Sequence, residues 1–473
     1  MSTSPPILYW FRRDFRLADN PALAAACASG RPVVAVFVRD GLVDDLGAAP
    51  KWRLGVGLDH FISQLSSIGV RVILRSGPAL DVIQNLVHET GADTVYWTRA
   101  YDPQSVARDT QVKSQLKAQG IHAQSFGGHL LFEPWTVETK TGGPYRVYTP
   151  FWNAVKSRDL PQVVAAPKPI ASFDGPIASE TLADWNLGAA MVRGLPHVAK
   201  YARIGEAAAM ERLVEFCAGP IDRYNDRRDA PYELGTSGLS QNLALGEISP
   251  LQCWYMGYDA MLRGSAGAET FLKELVWREF AYHLMHHTPH IVTDNWKPDW
   301  DKFPWNLDET HPHVIAWKQG RTGIPFVDAA MREMYVTGTM HNRGRMIVAS
   351  YLTKHLMSHW KIGLNWFADC LIDWDPASNA MGWQWASGSG PDAAPYFRVF
   401  NPVTQLQKFD PAGRYARQWI AESHRQPTAT ALAYFDAIPK HWNLRPNMSY
   451  PEPIITPSDG RARALDAYQA RDF

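Results

Sequence analysis

The N-terminal part of the chain alternates short apolar runs with segments of helical periodicity. The apolar runs are residues 7–11, 33–38, 70–74 and 94–97. Between them, residues 52–68 and 80–89 have the spacing of amphipathic helices. Strands that alternate with helices indicate a parallel sheet covered by helices. The pattern therefore predicts an α/β domain, a parallel sheet wound with helices, over residues 1–132.

The apolar pattern changes twice after this region. Residues 133–200 have little periodicity and many prolines, which predicts an interdomain connector. From residue 201 onward, apolar positions recur with helical spacing and no strand alternation. The clearest helical segments are residues 207–216, 268–285, 327–335, 345–357 and 364–371. We therefore expect an all-helical C-terminal domain over residues 201–473.

Composition narrows the class of protein. A chain of 473 residues is longer than one ordinary domain, so we expect two or three domains. With 47 basic and 47 acidic residues, contact with nucleic acid would require a local basic patch. The four cysteines form no C-x-x-C pair, which favours reduced thiols in a cytoplasmic protein. No stretch approaches the roughly 18 apolar residues of a membrane span, so we expect no membrane association.

Residues 235–240 read Gly-Thr-Ser-Gly-Leu-Ser and precede a helical segment. Such a run can bind phosphate at a helix N-terminus, and a plain loop with a helix cap has the same pattern. It is not a nucleophile elbow, because Leu239 stands where that turn needs glycine. No G-x-G-x-x-G follows the first strand, which disfavours an ordinary NAD enzyme.

Four histidines, His283, His286, His287 and His290, follow helical spacing. This spacing could gather metal ligands, but Pro289 is expected to end the helix and no H-E-x-x-H pattern is present. We interpret them as polar surface or interface residues and predict no metal site.

Two segments combine charged and aromatic residues. Glu274, Trp277 and Arg278 share one helix face, which fits either a core helix with a salt bridge or a ligand-binding face. Residues 373–385 place two carboxylates, an amide and tryptophans in a stretch that otherwise looks buried. Buried polar groups need partners, and a bound polar ligand is their simplest source.

At four places, in the same order, the chain resembles the photolyase/cryptochrome family. These places are residues 9–20 (YWFRRDFRLADN), 322–332 (TGIPFVDAAMR), 340–343 (MHNR) and 400–402 (FNP). The resemblance implies an α/β domain that can hold an antenna pigment and a helical domain that binds FAD and DNA. The implied activity is light-driven repair of cyclobutane pyrimidine dimers in DNA by a monomeric enzyme.

The resemblance also implies roles for individual residues. The FAD-binding residues would be Tyr224, Thr236, Ser237, Gly238, Leu239, Ser240, Phe271, Arg278, Arg345, Asp373, Trp374, Asp375 and Asn379. Asn379 would face flavin N5. Glu274 would hydrogen-bond the dimer and stabilise its radical anion.

The dimer would be flipped out of the DNA, for which photolyases are a known example. The implied contacts to the damaged bases or to DNA are Arg228, Trp277, Asn342, Arg343, Met346, Trp385 and Gln405. Trp383, Trp360 and Trp305 match the tryptophan chain through which light reduces oxidised flavin.

Residues 101–109 are closer to plant cryptochromes than to folate-binding photolyases with Asn-Glu at this place. This resembles the class III branch of bacterial photolyases and implies a 5,10-methenyltetrahydrofolate antenna, with a deazaflavin or no antenna as alternatives. Thr339 stands where relatives usually have tryptophan, so one pocket wall is expected to differ.

Two rival functions stay open. A signalling cryptochrome would be expected to have a long tail after residues 450–454, where this sequence soon ends. A (6-4) photolyase would be expected to have a catalytic histidine pair near residues 340–343, where His341 is followed by Asn342.

Overall fold

The computed structural model describes residues 4–170, 172–392, 396, 398–422 and 424–473. Its N-terminal sheet consists of β1 (Ile7–Trp10), β2 (Val33–Arg39), β3 (Arg71–Ser76), β4 (Thr94–Thr98) and β5 (His122–Phe126). All neighbouring strands are parallel, in the order β3-β2-β1-β4-β5. The helices of this region are α1 (Pro21–Ala28), α2 (Gly41–Asp44), α3 (Ala48–Ser67), α4 (Ala79–Thr90) and α5 (Pro103–Ala118).

Apolar side chains cover both faces of the sheet, as parallel strands with helical crossovers require. Ile7 and Tyr9 of β1 belong to one buried cluster, and Leu8 and Trp10 belong to another. Successive side chains of a strand point to opposite faces, so each face acquires its own core. The strand order reverses between β1 and β4, which leaves a crevice at their carboxyl ends.

The four predicted strands are confirmed, and the fifth strand is one that the apolar pattern does not predict. β5 has the sequence His-Ala-Gln-Ser-Phe, in which Ala123 is the fully buried position. It lies at the sheet edge and pairs with β4 alone. Because one side of an edge strand lacks a neighbour, polar residues are tolerated there and the apolar signal is weak.

The rest of the described chain contains helices and irregular segments without a further sheet strand. Its helices are α6 (Tyr148–Val155), α7 (Leu195–Val198), α8 (Glu206–Ala218), α9 (Tyr224–Arg227), α10 (Ser240–Leu245), α11 (Pro250–Leu262), α12 (Ala268–His287), α13 (Pro312–Lys318), α14 (Pro325–Thr337), α15 (Asn342–Ser350), α16 (Trp360–Cys370), α17 (Pro376–Ser387), α18 (Pro402–Phe409), α19 (Arg414–Trp419), α20 (Ala429–Ala437) and α21 (Pro457–Gln469). The α/β and helical fold class is therefore confirmed. Among the described residues, no helix is both long and apolar enough to cross a membrane.

One predicted helix differs from the structure. The segment 345–357 is not a single α-helix, because α15 ends at Ser350 and Tyr351–His355 forms a π-helical turn. All five residues of that turn are buried. Because every position in the turn is buried, the turn has no polar face. The apolar periodicity therefore does not reveal the change from α-helix to π-helix.

A buried ion pair joins the N-terminal sheet region to the helical region. Arg53 of α3 donates to Glu247, with 2.9 Å between Nη1 and Oε1, and both side chains are fully buried. Beside them, Gly246 has a φ of +67°, and a Cβ at this position would lie 2.2 Å from the carbonyl oxygen of Arg13. Glycine is therefore required where the turn after β1 meets the helical region. The domain division at residues 132 and 200 stays a prediction.

Candidate functional site

Two adjoining cavities open among the helices. The outer cavity has a volume of about 430 Å³ and the inner cavity about 230 Å³. They share the lining residues Glu274, Arg345, Asp373, Asp375 and Ser378. The two cavities therefore form one continuous space with a wide and a narrow part.

Helix α12 forms one wall of both cavities. Glu274 and Trp277 line the outer cavity, and Phe271, Glu274 and Arg278 line the inner cavity. The spacing of three and four residues places these side chains on one face, so the ligand-binding interpretation of that face fits the structure.

Glu274 also forms an ion pair with Arg228, which lines the outer cavity beside it. Burial raises the pKa of the Glu274 carboxyl group, while the charge of Arg228 and its hydrogen bond act in the opposite direction. Removal of Arg228 from this pair would therefore favour the protonated acid.

The segment 373–385 owes its geometry to a helix cap. Asp375 accepts the backbone N–H of Ser378 at 2.8 Å, and Pro376 begins α17. Asn379 and Trp383 are four residues apart on this helix, and both line the outer cavity. The amide of Asn379 donates to the carbonyl oxygen of Leu364 at 3.1 Å, which holds the side chain against α16.

Helix α15 presents Asn342, Arg345 and Met346 to the outer cavity. Arg345 donates to Asp373 at 2.7 Å. Arg343 does not line the cavity: it pairs with Asp229 at 2.7 Å, and its guanidinium group lies 4.4 Å from the ring centroid of Phe409. Its Nη1 also lies 3.7 Å from the sulfur of Met346, one turn along the helix, so Arg343 borders the cavity wall through Met346.

His341 caps the same helix, accepting the backbone N–H of Arg343 at 3.1 Å. Burial lowers the pKa of His341 to about 4, so this side chain is uncharged at neutral pH.

The structure brings most of the other predicted cofactor residues to the same space. Tyr224, Ser237, Leu239 and Ser240 line the inner cavity, and Trp374 and Trp385 line the outer cavity. Thr236 and Gly238 are exposed beside the inner cavity and do not line it. Gln405 lies on α18, outside both linings, with a partly buried side chain.

Asp373 shows that the site fits a polar cofactor such as FAD. Its Oδ2 accepts from Arg345, while its buried Oδ1 has no hydrogen-bond partner among the described residues. A buried carboxylate oxygen without a partner is costly unless a ligand supplies a donor. Hydroxyl groups in the inner cavity and aromatic walls in the outer cavity suit an elongated ligand with ribityl and ring portions.

Of the three predicted tryptophans, Trp383 lines the outer cavity, and Trp360 and Trp305 do not. Trp383 lines the cavity and packs so closely on Gly363 of α16 that a Cβ there would lie 2.0 Å from the indole. Trp360, three residues before Gly363, is fully buried. The ring of His359 lies 5.4 Å from the ring of Trp360 and 5.1 Å from that of Trp305. His359 therefore bridges Trp360 and Trp305, while Trp383 packs on the helix that Trp360 begins.

The histidines of α12 have ordinary protein partners. His283 accepts the backbone N–H of Tyr145 at 3.0 Å, and the Nε2 of His287 lies 3.2 Å from the carbonyl oxygen of Pro134. Among the described residues, no group of three or more potential ligands is arranged to hold a metal ion.

Several polar residues at the site are not predicted from the sequence: Ser378 lines both cavities, and three others have partners far away in the chain. Tyr282 donates to Asp375, and the Nε2 of His129 lies 2.9 Å from the hydroxyl of Tyr282. Asp392, with a φ of +59°, lines the outer cavity. Their partners are far away in the chain, and no local motif marks them.

A separate cleft of about 560 Å³ lies between the sheet and the helical region. Arg12, Arg13 and Tyr101 line it from the N-terminal region, and Tyr282 and Trp374 line it from the helical region. The guanidinium group of Arg13 lies 5.4 Å from the ring centroid of Trp374. Because Trp374 also lines the outer cavity, one side chain separates the two spaces there.

Comparison with known sequences gives two family matches. Residues 7–169 match the family described as DNA photolyase, and residues 271–470 match the FAD binding domain of DNA photolyase. A protein of Agrobacterium fabrum named deoxyribodipyrimidine photo-lyase is 43% identical over 478 residues, covering 98% of each chain. Cryptochrome-1 of Arabidopsis thaliana is 33% identical over 97% of this chain and 70% of its own length.

Solved structures show the same similarity. A bacterial class III photolyase from Agrobacterium tumefaciens superposes with a TM-score of 0.91 and 42% identity, covering 99% of this chain and 98% of its own. An archaeal photolyase from Sulfolobus tokodaii with two FAD molecules has a TM-score of 0.79 and 27% identity, covering 98% and 100% of the two chains.

Proposed function

Because the chain belongs to the photolyase/cryptochrome family, we propose that it is a light-driven DNA repair enzyme, a deoxyribodipyrimidine photo-lyase, that contains FAD. The observation that carries this proposal is the lining of the outer cavity. Glu274, Trp277, Asn342, Met346 and Trp385 surround one opening that continues into the inner cavity. A flipped pyrimidine dimer needs such an opening, with flat stacking surfaces and polar groups for the base edges.

The FAD would occupy the inner cavity and the adjoining part of the outer cavity. When bound and reduced, FAD would supply an electron to the dimer under light and would regain it after the ring opens. The protein would provide position and electrostatics. Tyr224, Ser237 and Ser240 would bind the diphosphate and ribityl portion, while Arg345 and Asp373 would bind the flavin side, with Asn379 at its N5 edge. Exposed Thr236 and Gly238 would contribute from the rim.

Glu274 would hydrogen-bond a carbonyl group of the dimer. In the free protein this carboxyl group is paired with Arg228. If Arg228 turns to a DNA phosphate, Glu274 loses the charge that favours its ionised form, and burial then favours the protonated acid. A protonated Glu274 is a hydrogen-bond donor, which is what a developing radical anion requires.

The remaining contacts would hold the DNA. Trp277 and Trp385 would stack on the damaged bases, Asn342 would hydrogen-bond them and Met346 would pack against them. Arg228, Arg343 and Gln405 would contact the strand outside the cavity. In the free protein both arginines are paired with carboxylates, Arg228 with Glu274 and Arg343 with Asp229, so contact with phosphates would require them to leave these partners.

The interdomain cleft is the candidate site for a second pigment, and we propose 5,10-methenyltetrahydrofolate. The arginines of the cleft suit anionic groups, and Tyr101 and Trp374 offer aromatic surfaces for a flat ring. Trp374 lines both the cleft and the outer cavity, so a pigment in the cleft would adjoin the proposed FAD site. Release of a deazaflavin, or of no second pigment, from purified protein would reject this identity.

The test uses purified protein loaded with FAD and reduced chemically. It is illuminated with oligonucleotides that carry either one thymine cyclobutane dimer or one (6-4) photoproduct. We expect light to split the cyclobutane dimer into two thymines, to leave the (6-4) photoproduct unchanged, and to be required for any repair. Failure to bind FAD would reject the proposed flavoprotein function. Repair of the (6-4) photoproduct would indicate a (6-4) photolyase, and FAD binding without any repair would indicate a cryptochrome-type photoreceptor.

A further inference from the structure

The aromatic ring of Tyr148, in the segment predicted as a connector, lies directly on Trp277. Their ring centroids are 3.6 Å apart with an interplanar angle of 8°, the shortest ring separation among the described residues. Phe280 meets both rings edge-on, at 5.9 Å from Tyr148 and 5.8 Å from Trp277. One face of the Trp277 indole is therefore covered and its plane is set by two neighbours.

Hydrogen bonds hold Tyr148 in this position. Its hydroxyl donates at 2.7 Å to the carbonyl oxygen of Lys273, which precedes Trp277 by one turn of α12. The backbone N–H of Tyr148 donates to Asp392 at 3.2 Å, and the backbone N–H of Asp392 donates to Arg146 at 3.1 Å. Asp392 lines the outer cavity and follows α17, the helix that carries Trp385. The connector thus links the two walls on which the predicted stacking tryptophans stand.

We propose that Tyr148 is a positioning residue for the lesion: it holds Trp277 as a preformed stacking surface for one base of the dimer. The inference rests on the proposed function, because it concerns the same cavity and substrate. A tryptophan side chain that can adopt several rotamers loses this conformational freedom when a base stacks on it, which makes binding less favourable. Tyr148 removes the freedom in advance, so binding of the flipped base is more favourable.

A purely structural role makes a different prediction. If Tyr148 only packs the interior, its replacement lowers the melting temperature. Any change in affinity is then the same for damaged and undamaged DNA. A positioning role instead changes affinity for the lesion alone, because undamaged DNA binds through its backbone without a flipped base.

The experiment compares Y148L, which removes the ring, with Y148F, which keeps the ring but lacks the hydroxyl group. Tyr255 provides the control Y255L, because its hydroxyl also donates to a backbone carbonyl, that of Pro161 at 2.9 Å, and it does not line either cavity. For each FAD-loaded variant we would measure the Kd for a single-stranded oligonucleotide with and without one thymine dimer, the melting temperature and the FAD content.

We expect Y148L to raise the Kd for the dimer roughly three- to tenfold, in proportion to the loss of one aromatic pair. FAD content and the Kd for undamaged DNA should not change. Y148F should stay within about twofold of wild type, as should Y255L. An unchanged dimer Kd in Y148L, or an equal loss of affinity for both oligonucleotides, would overturn the proposal.

If Y148L does not fold, D392G decides the question. Glycine tolerates the positive φ of this residue while removing the carboxylate that holds the N–H of Tyr148. D392N keeps an acceptor for that N–H and is tolerated at a positive φ, so a selective rise in the dimer Kd in D392G but not in D392N supports the proposal. An unchanged Kd in D392G, or an equal rise in both variants, overturns it. If wild type itself does not prefer dimer DNA, the proposed function fails independently of Tyr148.

Discussion

Glu274 has two features that indicate different roles: an ion pair with Arg228, and a position in the lining of both cavities. Its side chain pairs with Arg228, and both members of this pair keep about a quarter of their surface exposed. A partly exposed ion pair contributes little to stability. Because Glu274 lines both cavities, its position indicates a role in substrate chemistry and not in folding.

Replacement of Glu274 by glutamine should lower the quantum yield of dimer repair, because an amide stabilises the dimer anion less well than a carboxylic acid. Loss of one such interaction costs about 2.7–4 kcal/mol in thermally activated enzymes. A photochemical yield depends on competition with electron return, so we expect a smaller loss, roughly two- to tenfold. Flash photolysis of reduced enzyme saturated with a thymine-dimer oligonucleotide measures the yield.

Glu269 supplies the control for this measurement. It lies on the same helix and pairs with Lys273 at 3.1 Å, but its side chain is about half exposed and does not line either cavity. Glu269→Gln should repair as wild type does. A normal yield per photon in Glu274→Gln would remove Glu274 from the mechanism.

Trp383 is expected to act in photoreduction and not in repair. Trp383→Phe should strongly slow the reduction of oxidised FAD by light, since phenylalanine is much harder to oxidise than tryptophan. Repair by enzyme that has been reduced chemically should be spared, because that electron starts from the flavin. Transient absorption and steady-state repair assays measure the two processes separately.

Trp442→Phe is the matched control, because Trp442 packs on Tyr335 and lies away from both cavities. Equal photoreduction in Trp383→Phe and wild type would show that the chain is assigned wrongly, or that Trp374 provides another route.

At the scale of elements, the packing of α16 against α17 sets the place of Trp383. The indole lies where a side chain at position 363 would otherwise stand. A glycine in the middle of a helix normally reduces stability by about 1 kcal/mol relative to alanine. Its presence here is explained by close packing.

We expect Gly363→Ala to destabilise the protein, although alanine favours helices. The added Cβ would lie 2.0 Å from the indole of Trp383, and overpacking of this kind typically costs about 1–3 kcal/mol. Thermal unfolding should show the loss, and light-driven FAD reduction should slow as the indole moves. Gly41 is a helical glycine at which an added Cβ would have no neighbour within 4 Å, so Gly41→Ala should lower neither the stability nor the rate of light-driven FAD reduction. A more stable Gly363→Ala variant would contradict the packing described here.

At the scale of the whole molecule, the Arg53–Glu247 pair ties the sheet region to the segment between α10 and α11. Both side chains are inaccessible to solvent, and Arg53 also donates to the carbonyl oxygen of Arg203 at 3.0 Å. Removal of one partner leaves an uncompensated buried charge, which is far more costly than the loss of a surface pair.

Arg53→Ala should therefore lower the free energy of unfolding by about 3–5 kcal/mol. Arg75→Ala, which breaks the more exposed pair with Glu89, should cost less than about 1 kcal/mol. Urea unfolding followed by circular dichroism measures both. The double change Arg53→Met with Glu247→Leu should recover part of the loss, because no charge remains buried. Equal, small effects of Arg53→Ala and Arg75→Ala would show that the pair does not hold the two regions together.

The sequence by itself determined the features that depend on neighbouring residues. Apolar periodicity is local, because a strand or helix buries its own face, and it therefore revealed four strands and the main helices. The shared face of Glu274, Trp277 and Arg278 follows from helix geometry in the same way. The family motifs then assigned most of the residues that line the cavities.

Only the tertiary structure decided contacts between distant parts of the chain. Tyr148 reaches Trp277 across more than a hundred residues, and Tyr282 and Asp375 meet although 93 positions separate them. Arg343 belongs to a recognisable motif, yet its direction depends on Asp229. The edge strand β5 and the π-helical turn likewise depend on their neighbours. Such features require long-range packing, which no window of sequence contains, because a side chain's partner is set by how the elements assemble.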